Sequence, residues 1–286
     1  MFFAIGLIVV IASVVGAYSV HGNLAVLWQP LEFIIIFGAL IGAFVIANPK
    51  PMLVGSLKAF GTAIKGAKYK QSHYLELLCA LYAIFRLAKT KGDLALETHV
   101  EKPHESALFK NFPGLLGDHH AIEFLCDYLR LVTLGAKSPL DIETIMERDI
   151  DVHHQEQHAI VAALGVMAQG APAMGIVAAV LGVIVTMGSI TEPPEILGKL
   201  IGAALVGTFS GILASYGVMS PIADAAAAAN NSDSAYLGCI KCAIVGHMQG
   251  YAPQISIEFA RKQISSNLRP TFAEVEAMIQ NVPAAA

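Results

Sequence analysis

Four apolar runs dominate this chain. Phe2 to Val20 carries no charge, and Leu31 to Ala47 holds only Glu32, near its start. Ala159 to Ile190 contains no Lys, Arg, Asp or Glu, and Leu200 to Pro221 is equally free of them. A lipid core is crossed by about 20 apolar helical residues, so four membrane spans are expected. The second is short, with soft ends, and the third exceeds a bilayer and should continue into water as a helix. The composition agrees, with 55% hydrophobic and 14% charged residues, against about 25% charged in soluble domains. Together with a net charge of -4, this excludes a disordered chain, a disulfide scaffold and a basic nucleic-acid binder. The first run lacks a basic flank and a small-residue cleavage site, so it reads as a retained helix rather than a signal peptide.

Orientation follows from the basic residues. His21 to Pro30 has none, and Thr191 to Lys199 has only Lys199; the other 17 of 18 fall in Asn48–Gln157 or after Pro221. Basic residues stay on the cytoplasmic side, which puts both termini inside and the two short loops outside. The expected fold is an all-α polytopic membrane protein with four transmembrane helices and a helical cytoplasmic domain. Residues 1–47 form the first two spans, 48–157 a cytoplasmic insert, 158–221 spans three and four, and 222–286 a cytoplasmic tail.

Within the insert, Pro49 and Pro51 end the second span. Leu53, Leu57, Phe60 and Ile64 then form a stripe with Lys58, Lys65 and Lys68 beside it. That pattern fits an interfacial helix at the inner leaflet, or equally a helix packed on the cytoplasmic domain. Tyr74 to Lys91 carries Leu75, Leu78, Tyr82 and Phe85 on one face and stops at Gly92. Leu94 to Val100 is a short element, and Asp118 to Leu134 a longer one closed by Gly135. Ser138-Pro139-Leu140-Asp141 opens a helix with no breaker before Gly165, so it should run into the third span. Thr271 to Glu274 is a capping box in the tail.

The spans lack a charged residue near their middles. Glu32 is expected at the outer end of span two, within reach of water. Ion pathways through lipid use intramembrane carboxylates or strong oxygen ligands, so a partner should supply the ionisable group. Spans three and four are instead rich in small residues: Gly170, Gly175, Ala178, Ala179 and Gly182 on one, Gly202, Ala203, Ala204, Gly207 and Gly211 on the other. Small residues let helix backbones approach closely, or leave a smooth surface for a partner helix. The hydroxyls of Thr186, Thr208, Ser210, Ser215 and Tyr216 are expected mostly to bond their own backbone. Pro172 lies inside span three, and Pro221 is expected to end span four.

The runs Gln169 to Gly182, Gly202 to Leu213 and Tyr216 to Pro221 closely resemble the MotA family of flagellar stator proteins. Gly250 to Lys262 in the tail and Tyr128-Leu-Arg-Leu131 in the insert resemble it too, so the likeness follows nearly the whole chain in order. The resemblance implies an inner-membrane protein that couples ion flow to flagellar rotation. It implies a partner, MotB, present as two helices among five copies of this chain and carrying the essential aspartate. It also implies contact with the rotor protein FliG. By the same resemblance Pro172, Thr208, Tyr216 and Pro221 belong to the ion pathway and its conformational coupling, while Lys89 and Glu97 stand at the rotor contact, Lys89 replacing an Arg. Sodium-driven relatives carry a threonine where this chain has Ala179. Sodium needs several oxygen ligands whereas a proton needs one acceptor, so the resemblance favours protons.

Other readings compete. An energiser subunit of the ExbB or TolQ type is related but has fewer spans, and a sodium-driven stator subunit is the other alternative. His153, His154 and His158 include an i, i+4 pair that suits a metal, but the further histidine boxes of a diiron membrane enzyme are missing. Cys239 and Cys242 have CxxC spacing without a second pair. No cofactor, metal or enzymatic activity is expected, and the four cysteines should be free thiols.

Overall fold

The computed structural model describes residues 2–282. Among them the chain is helical, with no strand, and it divides into two compact units. One comprises the chain up to Gly66 together with Glu156–Ala229; the other comprises Ala67–Gln155 and the chain from Asn230 onward.

The first unit begins with the Phe2–Ser19 helix, which contains no charged residue. Asn23 caps the short Leu24–Leu27 helix by accepting a hydrogen bond from the Ala25 N–H at 3.0 Å. Pro30 then opens Pro30–Phe33, its missing N–H costing nothing at a helix start. That helix passes through a π-turn at Ile34–Gly38 into Ala39–Ala47. Asn48 and Pro49 separate it from Lys50–Lys65, which ends at Gly66 with φ 78°. Ala63 of this last helix packs with Ile222 and Ala226, leaving Leu57 and Ile64 exposed.

The helix expected to start at Ser138 does run into the third apolar stretch, as one Pro139–Gly188 helix. The Ser138 hydroxyl accepts from the Asp141 N–H at 3.3 Å. After a short turn, Pro194–Ile212 leads into a π-turn at Leu213–Met219 and on into Ser220–Met248. Pro221 therefore does not end the helix, contrary to expectation. Its ring would crowd the carbonyl four residues earlier in a regular helix; the wider turn directly upstream accommodates it.

The second unit owns a continuous apolar core. The Gln71–Lys91 helix buries Leu77, Leu78, Leu81, Ile84 and Phe85. It is covered on more than one face, not only along the expected stripe, and ends at Gly92 with φ 86°. His119–Thr133 packs Leu125 and Leu129 into the same core. The tail motif contributes Ile257 and Ala260, and Arg261 grips Glu258 with two hydrogen bonds of 2.6 and 2.7 Å. Thr271 and Glu274 form the expected reciprocal cap.

At one end of that core lies a polar cluster. Tyr69 stacks on Tyr236 at 3.8 Å and donates to Asp118 Oδ2 at 2.5 Å. Lys68 Nζ reaches Asp118 Oδ1 at 2.8 Å, and the same carboxylate caps His119–Thr133. Burial works to raise the Asp118 pKa, but hydrogen bonds from Lys68 and Tyr69 and the Lys68 charge outweigh it, so the value lies below the ordinary one. Asp233 behaves oppositely: burial raises its pKa, the charge of Asp118 adds to that, and Lys68 and His120 pull against it.

The signs give a pH profile. Asp118 stabilises the fold above the usual carboxylate value of about 4 and loses that contribution as pH falls through its lowered pKa. Asp233 disfavours the fold while ionised, so stability rises as pH falls through its raised pKa. Thermal unfolding of the detergent-solubilised protein is therefore expected to show a gain on mild acidification and a steep loss below about pH 4. Asp118→Asn should cost about 1–3 kcal/mol at neutral pH and blunt the acid loss, whereas Asp233→Asn should remove the gain.

Candidate functional site

The Pro139–Gly188 and Pro194–Ile212 helices meet at backbone distance. A methyl group placed on Gly175 would lie 2.9 Å from the carbonyl oxygen of Gly207 and 3.2 Å from Cα of Gly211. One on Gly211 would lie 2.6 Å from the carbonyl oxygen of Ala171, and one on Gly182 would lie 2.7 Å from Cβ of Ala204. Distances this short leave no room for a side chain, which is why glycine and alanine recur on both helices. Of the two possibilities raised by the small residues, tight packing is realised on this face. The opposite side of the Pro139–Gly188 helix presents Ile176, Val180, Val183 and Ile184 as exposed apolar side chains.

Three of the expected pathway residues gather along this seam. Pro172 follows Ala171, whose carbonyl faces Gly211. The Ala179 nitrogen and the Cα of Thr208 lie, respectively, 3.4 Å from where methyls on Gly207 and Gly175 would sit. All three are partly accessible from the side. Tyr216 and Pro221 are not in that group: Tyr216 is 72% exposed on the π-turn, and Pro221 is exposed beyond it. The Thr186 hydroxyl donates to its own helix at the Gly182 carbonyl, 2.8 Å away, as expected.

Lys89 and Glu97 belong to the second unit, on either side of Gly92, and both are exposed. Lys89 lies in the last turn of the Gln71–Lys91 helix and donates to the Gly250 carbonyl at 3.5 Å, while Glu97 opens Glu97–Glu101. The histidines considered as ligands have other company. His153 lies beside His120 with ring centroids 4.3 Å apart, and His154 Nδ1 is 3.1 Å from the Ser234 hydroxyl. All four cysteines are free.

Glu32 departs from expectation. Instead of reaching water it is 9% exposed, and its Oε2 is buried without a hydrogen-bond partner. That oxygen lies 3.4 Å from where a methyl on Gly207 would sit. The short Pro30–Phe33 helix packs against Pro194–Ile212, and the carboxyl lies against Gly207 at van der Waals distance. The reading of Glu32 as a solvated end-group overlooked the signal that was available: a carboxylate inside an apolar run is functional by default.

An all-helical membrane protein whose long spans pack through glycine, with one buried carboxylate against the seam, is the class defined by these features. Comparison with known proteins makes it specific. Residues 4–92 match the model "Motility protein A N-terminal", and residues 119–236 match the "MotA/TolQ/ExbB proton channel family". The chain is 38% identical to motility protein A of Escherichia coli over 99% of its length and 96% of the relative's. It is 32% identical to the chemotaxis protein LafT of Vibrio parahaemolyticus over 95% of this chain and 96% of that one. The fold matches that of C. jejuni MotAB with TM-score 0.78 at 19% identity, covering 94% of this chain and 98% of that one. It also matches the flagellar MotAB stator complex of Bacillus subtilis with TM-score 0.73 at 24% identity, covering 89% and 92%. The chain belongs to the motility protein A family, and its role is that of a stator protein in the flagellar motor. The energiser alternative loses ground to the match over residues 4–92.

Gly211→Val is expected to separate the two helices. Overpacking costs about 1–3 kcal/mol, and here the added atoms meet backbone, which cannot move aside. Yield and thermal stability of the purified membrane protein should both fall, and Gly182→Val should act in the same direction.

Proposed function

We propose that this chain houses an ion path whose principal carboxylate belongs to a MotB-type partner, and that it converts proton passage into torque. Four spans cross the inner membrane: the Phe2–Ser19 helix, the run Leu24–Ala47, and the apolar parts of Pro139–Gly188 and of the helix from Pro194. Both termini are cytoplasmic, because 17 of 18 basic residues lie on that side. The exposed Leu57 and Ile64 of Lys50–Lys65 rest on the inner leaflet.

The seam is the observation that carries this reading. It brings Thr208 and Ala179 to the same helix–helix contact, and the first of the two helices also carries an exposed apolar face where a partner helix can lie. Five copies surround two partner helices, a mismatch that forbids one static fit and suits stepping. Ala179 supplies no oxygen where a sodium site needs one, so protons are the coupling ion. Pro172 and Pro221 each remove a helix hydrogen bond, giving the two long helices a place to bend. Both helices continue from the first unit into the second, so bending reaches the residues that touch FliG. Lys89 and Glu97 make that contact through charge, which tolerates Lys in place of Arg because no bidentate fork is required.

Swimming should persist in sodium-free medium, and strict dependence on sodium would defeat the proton assignment. Pro172→Leu should leave a complex that assembles with its partner yet gives little torque in a tethered-cell assay; normal rotation would remove the hinge role. Reversing Glu97→Lys should reduce motility most at low ionic strength, since at 0.1 M salt exposed charges more than about 10 Å apart are largely screened. Unchanged motility at every salt concentration would take Glu97 out of the rotor contact.

A further inference from the structure

Glu32 is a membrane carboxyl that the proposed ion path does not yet use. It is 9% exposed, and its Oε2 has no hydrogen-bond partner. It stands at Gly207, one residue from Thr208, with the Ala178–Ala179 backbone across the seam. Burying an ionised carboxylate without a partner costs far more than burying a neutral acid. Nothing charged is at hand to offset that cost: 159–190 and 200–221 in the two helices of the seam hold no Lys, Arg, Asp or Glu. Along the packed elements the ionisable groups are Glu195 and Lys199 ahead of the second run, Tyr18 in the last turn of the Phe2–Ser19 helix, and His21 just after it. A methyl at position 207 would come 3.1 Å from the Ala178 Cβ and 3.4 Å from Oε2, so the carboxyl lies against the tight contact between the two helices.

We propose that Glu32 is a second proton-binding residue of the ion path, positioned ahead of the partner's carboxylate on the outer side of the seam. This rests on the channel reading above. A hydronium ion in the outer vestibule gives up a proton, an O–H bond forms at the Glu32 carboxylate, and water is left behind. That O–H bond then breaks as the proton passes, directly or through water, to the ionised carboxylate on the partner helix, which becomes the neutral acid. Glu32 returns to its ionised form and takes the next proton from outside. Ionised Glu32 is therefore transient, as its unpartnered burial requires. Thr208, one residue from the glycine that Glu32 touches, stands at the receiving end of the transfer.

The test uses the complete complex of this chain with its MotB-type partner, reconstituted in proteoliposomes, with proton flux followed by a pH-sensitive dye. Glu32→Gln keeps the shape and an acceptor oxygen but cannot bind and release a proton. Glu32→Asp keeps the titration. The expected result is normal co-purification with flux roughly a hundredfold lower for the Gln variant, substantial recovery in the Asp variant, and a shifted dependence of flux on outer pH in the latter. In infrared difference spectra taken across an outer-pH step, the band of a protonated carboxyl should vanish in Glu32→Gln. Wild-type flux in Glu32→Gln at every outer pH would overturn the proposal and leave Oε2 as an acceptor for a neighbouring subunit. Should the Gln variant fail to assemble, the Asp variant decides: an unshifted pH profile overturns the proposal and a shifted one supports it. If the wild-type complex conducts no protons, the channel reading falls, and this proposal with it.

Discussion

Close backbone contact between the Pro139–Gly188 and Pro194–Ile212 helices is the constraint on which the membrane unit depends. In lipid, burying apolar side chains gives little drive for association, so helices hold together by packing and by whatever polar contacts they make. Here the packing is as intimate as backbone allows, with Gly175, Gly182 and Gly211 each blocked from carrying a side chain and Gly207 in tight contact with Ala178. Two consequences follow. The seam holds Thr208 against Gly175 and Ala179 against Gly207, and a carboxyl lies beside that second contact. Larger residues would have kept the helices apart and dispersed both features.

Helix continuity is the second constraint. The Pro139–Gly188 helix is 50 residues long, far more than a bilayer needs. The chain from Pro194 to Met248 is helical throughout its 55 residues by virtue of a π-turn at Leu213–Met219. Prolines within such helices are local weaknesses, not breaks. At Pro172 the helix simply forgoes one hydrogen bond; at Pro221 the preceding π-turn takes up the ring. A protein that must convert a small event in the membrane into movement elsewhere gains from elements that are continuous yet compliant at one place each.

Much of this was legible in the residues. The charge-free runs foretold the apolar helices, Ser138-Pro139 marked the start of the long one, and Thr271 and Glu274 their capping box. Those signals are local: a run of side chains, a cap, a turn residue. The resemblance of Gln169–Gly182 and its companions carried the family correctly. Failures came where a tertiary partner decides the outcome. Pro221 was taken for a helix end, because a π-turn is set by how the wall of the unit is packed and leaves no mark in periodicity. The Gln71–Lys91 helix looked amphipathic, yet it is enclosed on several faces by elements distant in sequence. Glu32 was assigned to water from its place near the start of an apolar run, and only Gly207, 175 positions later, shows that the group is covered.

That last error bears on how a path for protons differs from one for sodium. A metal ion must be surrounded, so its site demands several oxygens at fixed spacing. A proton can be carried by single groups in succession, each of which needs only to be nearly as easily protonated as ionised, with water or a hydroxyl between. A lone carboxyl against a glycine seam supplies at most two of the several oxygens a sodium site needs, whereas one such group is enough to accept and release a proton. Ala179 offers no side-chain oxygen at the seam, while Glu32 places a titratable carboxyl beside it. Both features suit the proposed proton path, and they lie on helices that meet at the same few backbone atoms.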